Sequence, residues 1–336
     1  MRKVWSWLKW PVVFLVVVVL AFVAARVVNH FRYPDPDLAY PDPMNAAAYP
    51  TAMPGVAVTP IADGPVRGFH LRPDDIRHRG VVLTWGGSEG GPDFDHAELL
   101  ASQGHEVLAL FYFGQPDQPE TLSRVPVETV SRALDWAEAN VESVDPVTVI
   151  GTSKGAELAA LAPTYEPRID NTVLFAPGDH VTQGLDFSNV ASSWTYRGEE
   201  IPYLAFSDAS DSGPTLRMLA ATVLGTPVRL RPVYEATFDQ PGAQDKQIDL
   251  TRVPGEVLIF AGGDDQLWPA ADSARRFAEM RPDRTEVHIY PEAGHIFSVP
   301  GDYAKGMWMG GSAEANAAAL QDSNRILGER LADWSR

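Results

Sequence analysis

The sequence contains no cysteine, so disulfide bridges, thiolate metal sites and a cysteine nucleophile are excluded, while the redox compartment stays open. Basic residues are also scarce, because 27 Lys and Arg stand against 44 Asp and Glu, and the formal net charge is −17. The first 32 residues hold five bases and no acid, and subtracting these five charges leaves −22 for the remainder. A body this acidic repels phosphate backbones, so we expect no nucleic-acid partner.

Apolar material is plentiful, since 45% of the 336 residues are hydrophobic and suffice for one large folded domain. Residues 11–25 (PVVFLVVVVLAFVAA) carry no charge and follow a basic start that includes Arg2, Lys3 and Lys9. We interpret residues 1–32 as a single-pass membrane anchor that places the remaining chain outside the cytoplasm. The alternative is a signal segment cleaved after Ala25, which would make the protein secreted.

The chain after the anchor predicts a stalk followed by one α/β domain. Residues 33–55 are rich in Pro and Asp and predict an extended stalk. The domain is expected at residues 56–336, with edge strands at 56–72 and a regular alternation of strand-like and helical patterns from residue 80, which predicts a doubly wound, mainly parallel sheet. Six strands are expected at 81–85, 106–112, 147–151, 172–176, 256–261 and 286–290. Residues 178–251 interrupt the alternation and are interpreted as a lid-like insertion or as a surface excursion with its own small cluster.

A nucleophile elbow is predicted at residues 150–155 (IGTSKG), which fit the pattern G-x-S-x-G. In such an elbow a serine occupies a forced turn between a strand and a helix, and the flanking glycines avoid collisions that any Cβ would cause. Gly151 and Gly155 flank Ser153, an apolar strand precedes it, and an Ala- and Leu-rich helix follows. Ser153 is therefore the candidate nucleophile.

A serine hydroxyl needs a base, and that base needs a carboxylate to orient it. Residues 262–269 (GGDDQLWP) and 291–296 (PEAGHI) follow the last two predicted strands, where open α/β sheets place their sites. His295 is the candidate base, with His96 and His180 as alternatives. Asp265 is preferred as the acid over its neighbour Asp264.

The glycine-rich loop 86–91 (GGSEGG) follows the first buried strand and lacks both the Lys-Ser/Thr pair of a P-loop and the dinucleotide-binding spacing. We expect it to supply an oxyanion-hole N–H from Gly87 or Ser88, together with the N–H of Lys154. Glu89 either holds this loop or is solvated. No metal and no cofactor are called for.

These motifs, from about residue 81 to 300, resemble the C-terminal catalytic domain of the acyl-CoA thioesterase and bile acid-CoA:amino acid N-acyltransferase family. The resemblance implies an α/β-hydrolase fold whose serine or cysteine accepts an acyl group from a CoA thioester. A serine at position 153 implies hydrolysis rather than transfer to an amine. Animal members carry a sandwich domain ahead of this one, whereas here only the stalk and a few possible strands are expected between the anchor and Gly80.

Three functions follow as hypotheses. The first is hydrolysis of acyl thioesters or esters, with a small acyl compound as substrate. The second is an extracytoplasmic carboxylesterase or peptidase with the same triad, because an exported body is separated from cytosolic CoA. The third is a tethered binding protein without activity. A local anion site for CoA would have to come from four bases, Arg197, Arg229, Arg231 and Lys246, which are otherwise scattered and solvated.

Overall fold

The computed structural model describes residues 2–336, with side chains from Trp10 onward, so the predicted basic flank of Arg2, Lys3 and Lys9 lies outside the described side chains. The described residues form fourteen strands: β1 Ala52–Met53, β2 Val56–Asp63, β3 Val66–Pro73, β4 Val81–Trp85, β5 Glu106–Phe111, β6 Val125–Pro126, β7 Val147–Thr152, β8 Asn171–Phe175, β9 Trp194–Tyr196, β10 Glu199–Glu200, β11 Val257–Gly262, β12 Thr285–Tyr290, β13 Tyr303–Ala304 and β14 Met307–Trp308. They also form eight α-helices: α1 Arg2–Arg32, α2 Phe94–Ser102, α3 Glu128–Asn140, α4 Lys154–Leu161, α5 Gly213–Leu224, α6 Arg231–Phe238, α7 Ala270–Met280 and α8 Ala313–Trp334.

Nine strands form one sheet in the order β1-β2-β3-β5-β4-β7-β8-β11-β12. The first four strands in this order pair antiparallel, and the pairs from β5 to β12 are parallel. The prediction of a mainly parallel α/β sheet is confirmed, and the six expected strands begin and end within one residue of the observed bounds. Helices cover both faces of the parallel strands, so these strands are apolar along their whole length. That is why the sequence predicts them well.

Alternate residues of the parallel strands enter two separate cores. Leu83 of β4 and Val149 of β7 face one core, which α3, α4 and α7 cover. Val82 of β4 and Ile150 of β7 face the other core, which α2 and α8 cover. The helices therefore fix the sheet from both sides, and the carboxyl ends of its parallel strands come together at one edge.

Residues 33–55 pack against the domain. Tyr49 is 4% exposed and lies between Tyr40, at a ring-centroid distance of 4.6 Å, and Phe94 of α2, at 5.0 Å. Its hydroxyl donates to the carbonyl of Pro43 at 2.8 Å. We expected a spacer from the Pro and Asp content of this segment. Its aromatic residues instead bury it against the second core, which brings it to the edge where the parallel strands end.

Helix α1 has a different character from the rest of the molecule. From Trp10 to Arg32 it has a mean hydropathy of 2.8, and its apolar side chains contact solvent rather than the domain. This length of about 34 Å is sufficient to cross the hydrocarbon core of a membrane.

A buried ion pair attaches the segment 178–251 to helix α4. Glu157 is fully buried and accepts hydrogen bonds from Lys154 Nζ at 2.6 Å and from the indole N–H of Trp194 at 2.7 Å. Thr182 donates its backbone N–H to the same carboxylate at 3.0 Å. Burial lowers the pKa of Lys154, and the adjacent carboxylate opposes that shift. One carboxylate thus links helix α4 to two residues of the inserted segment.

Replacing Glu157→Ala removes the partner of a buried ammonium group, and we expect it to lower the free energy of unfolding by about 3–5 kcal/mol. The measurement is urea denaturation of the protein in detergent. Glu329→Ala is the control, because Glu329 pairs with Arg325 at an exposed site and its loss is expected to change the stability little. Equal losses for the two variants would contradict this account.

Candidate active site

Ser153 sits at a strained turn between β7 and α4. Its backbone has φ 56° and ψ −117°, a conformation that non-glycine residues rarely adopt. A Cβ on Gly151 would strike the carbonyl oxygen of Gly155, and a Cβ on Gly155 would strike that of Gly86. The serine N–H donates to the carbonyl of Phe175 at 2.8 Å, which ties the turn to β8. These contacts explain why the sequence has small residues on both sides of the serine.

The three predicted side chains meet in one hydrogen-bonded chain. His295 Nε2 lies 2.8 Å from Ser153 Oγ, and His295 Nδ1 lies 2.7 Å from Asp265 Oδ2. Ser153, His295 and Asp265 are 5%, 3% and 0% exposed, so water has little access to these hydrogen bonds. This arrangement is suited to moving a proton from a serine hydroxyl to an imidazole that a carboxylate orients.

The two neighbouring aspartates have different partners. Asp265 points its Oδ2 at the histidine, and its Oδ1 accepts the backbone N–H groups of Leu267 at 2.8 Å and Trp268 at 3.1 Å. Asp264 turns away and accepts the N–H of Gly311 at 2.9 Å. The geometry thus joins Asp265, and not Asp264, to the histidine.

The two alternative histidines belong to other networks. His96 lies 2.9 Å from the carboxylate of Asp93, whose other hydrogen bond comes from Thr152 Oγ1. Burial opposes a charge on His96, but the carboxylate outweighs it and raises the pKa of His96. His180 contacts Asp179, a buried carboxylate that also accepts from Arg276. Neither ring contacts Ser153, although His96 helps to line the space beside His295.

The expected oxyanion donors are only partly free. Lys154 is the first residue of α4, so its N–H has no acceptor within the helix, while its side chain is directed to Glu157. Gly87 lies against Ser153, but its N–H donates to the Glu89 carboxylate at 2.7 Å. Ser88 is half-buried in the cavity wall. An oxyanion bound at Gly87 would therefore have to displace Glu89 from this N–H.

Glu89 has two possible roles by sequence, to hold the glycine-rich loop or to be solvated. Besides bonding Gly87, it lines the cavity, where solvent reaches it. The surrounding protein nevertheless desolvates the carboxylate and raises its pKa. The hydroxyl of Tyr112 donates to the carbonyl of Gly87 and so fixes the same loop from behind. Tyr112 was not identified from the sequence, because it lies in no motif and only the pairing of β5 with β4 brings it there.

A cavity of about 240 Å³ opens in front of Ser153. Its walls come from residues 38–49, from the loop after β4, and from residues 296–309. A second cavity of about 160 Å³ shares His295 with it and has apolar walls at Phe175, Phe297 and Leu320. Among the described residues, none from the segment 178–251, where we expected a lid, lines either cavity. No sequence motif marks these walls, because residues 38–49 and 296–309 reach the site only through contacts between distant parts of the chain.

Acidic groups outnumber basic ones around the larger cavity. Glu89, Asp93 and Asp95 line it, against the single base Lys305. The four bases that were candidates for a CoA anion site are not gathered there. Arg231 pairs with Glu235 at 2.7 Å, and Arg197 lies over the ring of Tyr196. The cavity therefore favours neutral or cationic compounds over polyanions.

If Asp265 orients the histidine, Asp265→Asn removes the acceptor for the imidazole N–H, and we expect kcat on a p-nitrophenyl ester to fall about 10⁴-fold. Asp264→Asn is the matched control and is expected to retain activity within about tenfold. Stopped assays on both purified variants make this comparison, and a larger loss in the Asp264 variant would reverse the assignment.

Glu89→Gln keeps the acceptor for the Gly87 N–H but removes the charge next to the developing oxyanion. Because the pKa of Glu89 is raised, its charge appears only as pH rises through that raised pKa. We therefore expect the ratio of kcat/KM for the variant to that for the parent to be near one at low pH and to increase with pH, measured from about pH 5 to pH 9. A ratio that is independent of pH would refute a role for this charge.

Comparison with solved structures shows an α/β-hydrolase fold. An esterase from Pyrococcus furiosus aligns with a TM-score of 0.51 at 14% identity over 84% of this chain and 92% of its own. A bacterial heroin esterase aligns with a TM-score of 0.50 at 17% identity over 84% of this chain and 85% of its own. At these identities the likeness concerns the fold alone.

Comparison with curated sequences indicates the family. Acyl-coenzyme A thioesterase 6 of Mus musculus is 29% identical over 254 residues, and that of Homo sapiens is 27% identical over 256. Each alignment covers 74% of this chain but 55% and 56% of the relatives, so the chain spans about half the length of the curated relatives it matches. The family described as BAAT / Acyl-CoA thioester hydrolase C terminal matches residues 133–323, which include Ser153, Asp265 and His295. With more than half of its length matched, the chain belongs to this family.

Proposed function

We propose that this protein is a serine hydrolase that cleaves acyl esters or thioesters through an acyl-enzyme. The observation that carries the proposal is the chain of short hydrogen bonds from Ser153 through His295 to Asp265. His295 Nε2 takes the proton as Ser153 Oγ attacks the acyl carbonyl, and it returns that proton to the leaving group. A water molecule then attacks the acyl-serine with the same histidine as base, which releases the acid and regenerates the enzyme.

The negative charge on the carbonyl oxygen needs donors in both steps. Lys154 N–H is one donor, and Gly87 N–H becomes the second when Glu89 releases it or is protonated. Ser88 N–H is the alternative second donor. The raised pKa of Glu89 supports this proposal, because the neutral acid competes less strongly for the Gly87 donor than the carboxylate does.

Two substrate classes remain. The family and the relatives named as acyl-coenzyme A thioesterases support an acyl thioester, and the apolar walls beside His295 suit its acyl chain. The acidic wall of the larger cavity favours the second class, carboxylic esters whose leaving group is neutral or cationic. Both classes use the same three residues.

We also propose that α1 anchors the enzyme in a membrane, with the catalytic domain outside the cytoplasm. The apolar helix spans 23 residues, longer than the apolar region of about 7–15 residues in a signal peptide, and this length supports an anchor over a cleaved signal segment. Arg26 and Arg32 follow the uncharged run, so the charge difference that sets its orientation is small.

Ser153→Ala removes the nucleophile, and we expect turnover of acyl-CoAs and of matched p-nitrophenyl esters to fall at least about 10³-fold. Ser88→Ala is the control, because it keeps the backbone N–H and is expected to stay within about tenfold of the parent. The measurement is kcat/KM for each substrate, by released thiol or by released nitrophenol.

The ratio of the two substrates separates the classes. A kcat/KM that is about tenfold higher for acyl-CoA supports the thioester, and turnover of simple esters alone supports the second class. Unchanged turnover in Ser153→Ala would contradict the proposal for both.

A further inference from the structure

Helix α5 shows an apolar face to solvent. Leu216, Leu219 and Val223 are 64%, 50% and 55% exposed and follow one another at intervals of three and four residues. At 100° per residue they share one face with Ala220. On a water-facing surface, an amphipathic helix turns its polar face to solvent and its apolar face to the core. In α5 the apolar face is exposed instead, and no described residue covers it.

The opposite face of α5 contacts the domain. Pro214, Met218 and Ala221 lie on that side and form a hollow with Trp308 of β14. The helix has no acidic residue, in a chain with 44 of them, and carries the base Arg217. The unpartnered surface of α5 is therefore apolar and free of the negative charge that covers the rest of the molecule.

The membrane helix fixes the position of α5. Arg26 Nη1 of α1 donates to the carbonyls of Thr222 at 3.2 Å and Val223 at 2.8 Å, and Asn29 donates to the carbonyl of Leu224 at 2.9 Å. These carbonyls belong to the last turn of α5, where the carbonyls have no N–H of a following helical turn to accept, although that of Thr222 also accepts the N–H of Gly225 at 3.2 Å. Arg26 is the first charge after the uncharged run 10–25, so it lies at the membrane boundary when that run crosses the bilayer. The last turn of α5 lies at the same level.

The active-site cavity opens toward the same side. A cavity of about 380 Å³ lies between α1 and the turn that joins β13 to β14, with Arg26 and His30 on one side and Lys305 and Met307 on the other. Lys305 and Met307 also line the cavity in front of Ser153. The two spaces thus share a wall formed by these two side chains.

We propose that α5 lies in the bilayer interface beside α1, and that acyl esters dissolved in the membrane reach Ser153 from this side, past Lys305 and Met307. The inference rests on the anchor and the hydrolase proposed above. The occupant of the apolar face is the lipid surface, because α1 holds the last turn of α5 at the boundary and because the helix is apolar outside and free of acids.

The position of α5 is tested on the full chain in phosphatidylcholine nanodiscs that hold one protein each. Since the sequence has no cysteine, Leu219→Cys and Val223→Cys give single sites for an environment-sensitive nitrobenzoxadiazole label. Val190→Cys is the control, because Val190 is 53% exposed and lies outside α5. We expect blue-shifted emission and quenching by doxyl-labelled lipid at positions 219 and 223 only. Emission like that of the control, or a blue shift without lipid quenching, which indicates a protein partner, would overturn the inference.

The delivery of substrate is tested by kinetics in the same nanodiscs. Leu219→Asp puts a charge on the lipid-facing surface far in sequence from the triad, and Val190→Asp is its control. We expect hydrolysis of a bilayer-dissolved long-chain methylumbelliferyl ester to fall about tenfold in Leu219→Asp, while turnover of water-soluble p-nitrophenyl acetate stays within about twofold. Equal effects on the two substrates would overturn delivery from the membrane.

The design separates this inference from the functions on which it rests. Loss of p-nitrophenyl acetate turnover in Ser153→Ala supports the hydrolase whatever the labels report. If Ser153→Ala leaves both esters unaffected, the hydrolase fails, and the label still decides where α5 lies. If the parent hydrolyses the soluble ester but not the bilayer ester, the hydrolase stands and delivery from the membrane is refuted.

Discussion

The site depends on one close contact, that between the end of β7 and the start of α4. With no Cβ at positions 151 and 155, the strand, the helix and the loop after β4 approach one another closely enough that any larger residue would collide. That approach forces Ser153 to a positive φ and directs its Oγ toward His295. The free-energy cost of this strain is offset by the packing of the sheet, because the neighbouring strands and the two cores hold the turn in this one conformation.

Around the elbow, polar groups are arranged in separate closed networks. Each of four carboxylates is hydrogen-bonded to its own set of partners: Asp265 to His295, Asp93 to His96 and Thr152, Asp179 to Arg276 and His180, and Glu157 to Lys154 and the inserted segment. Each buried carboxylate has several donors, as the high desolvation cost of an unpaired charge requires. Glu89 differs, because it contacts solvent in the cavity and competes with substrate for a donor. If Gly87 is an oxyanion donor as proposed, the protonation of Glu89 controls whether that donor is free.

The acidic surface and the apolar face of α5 suit different surroundings. A body with 44 acidic residues opposes the approach of polyanions through its overall charge. Helix α5 and the end of α1 form the region where apolar surface and bases are concentrated, and the cavity opens beside them. If α5 lies in the bilayer interface as proposed, the apolar side faces lipid and the acidic body faces water. This polarity is invisible in the composition, because it depends on which face of each helix the domain covers.

The six buried strands and the helices between them could be predicted from the sequence, because apolar runs and helical patterns follow local rules. Small residues at a forced turn and chain order along a parallel sheet also made Ser153, His295 and one of the two adjacent aspartates candidates. The tertiary structure alone decided the rest. It separated Asp265 from Asp264 by their hydrogen-bond partners, engaged the Gly87 N–H with Glu89, and built the cavity from residues 38–49 and 296–309 instead of the expected lid. These features arise from contacts between residues far apart in the chain, and no local pattern records which distant segments a folded core brings together.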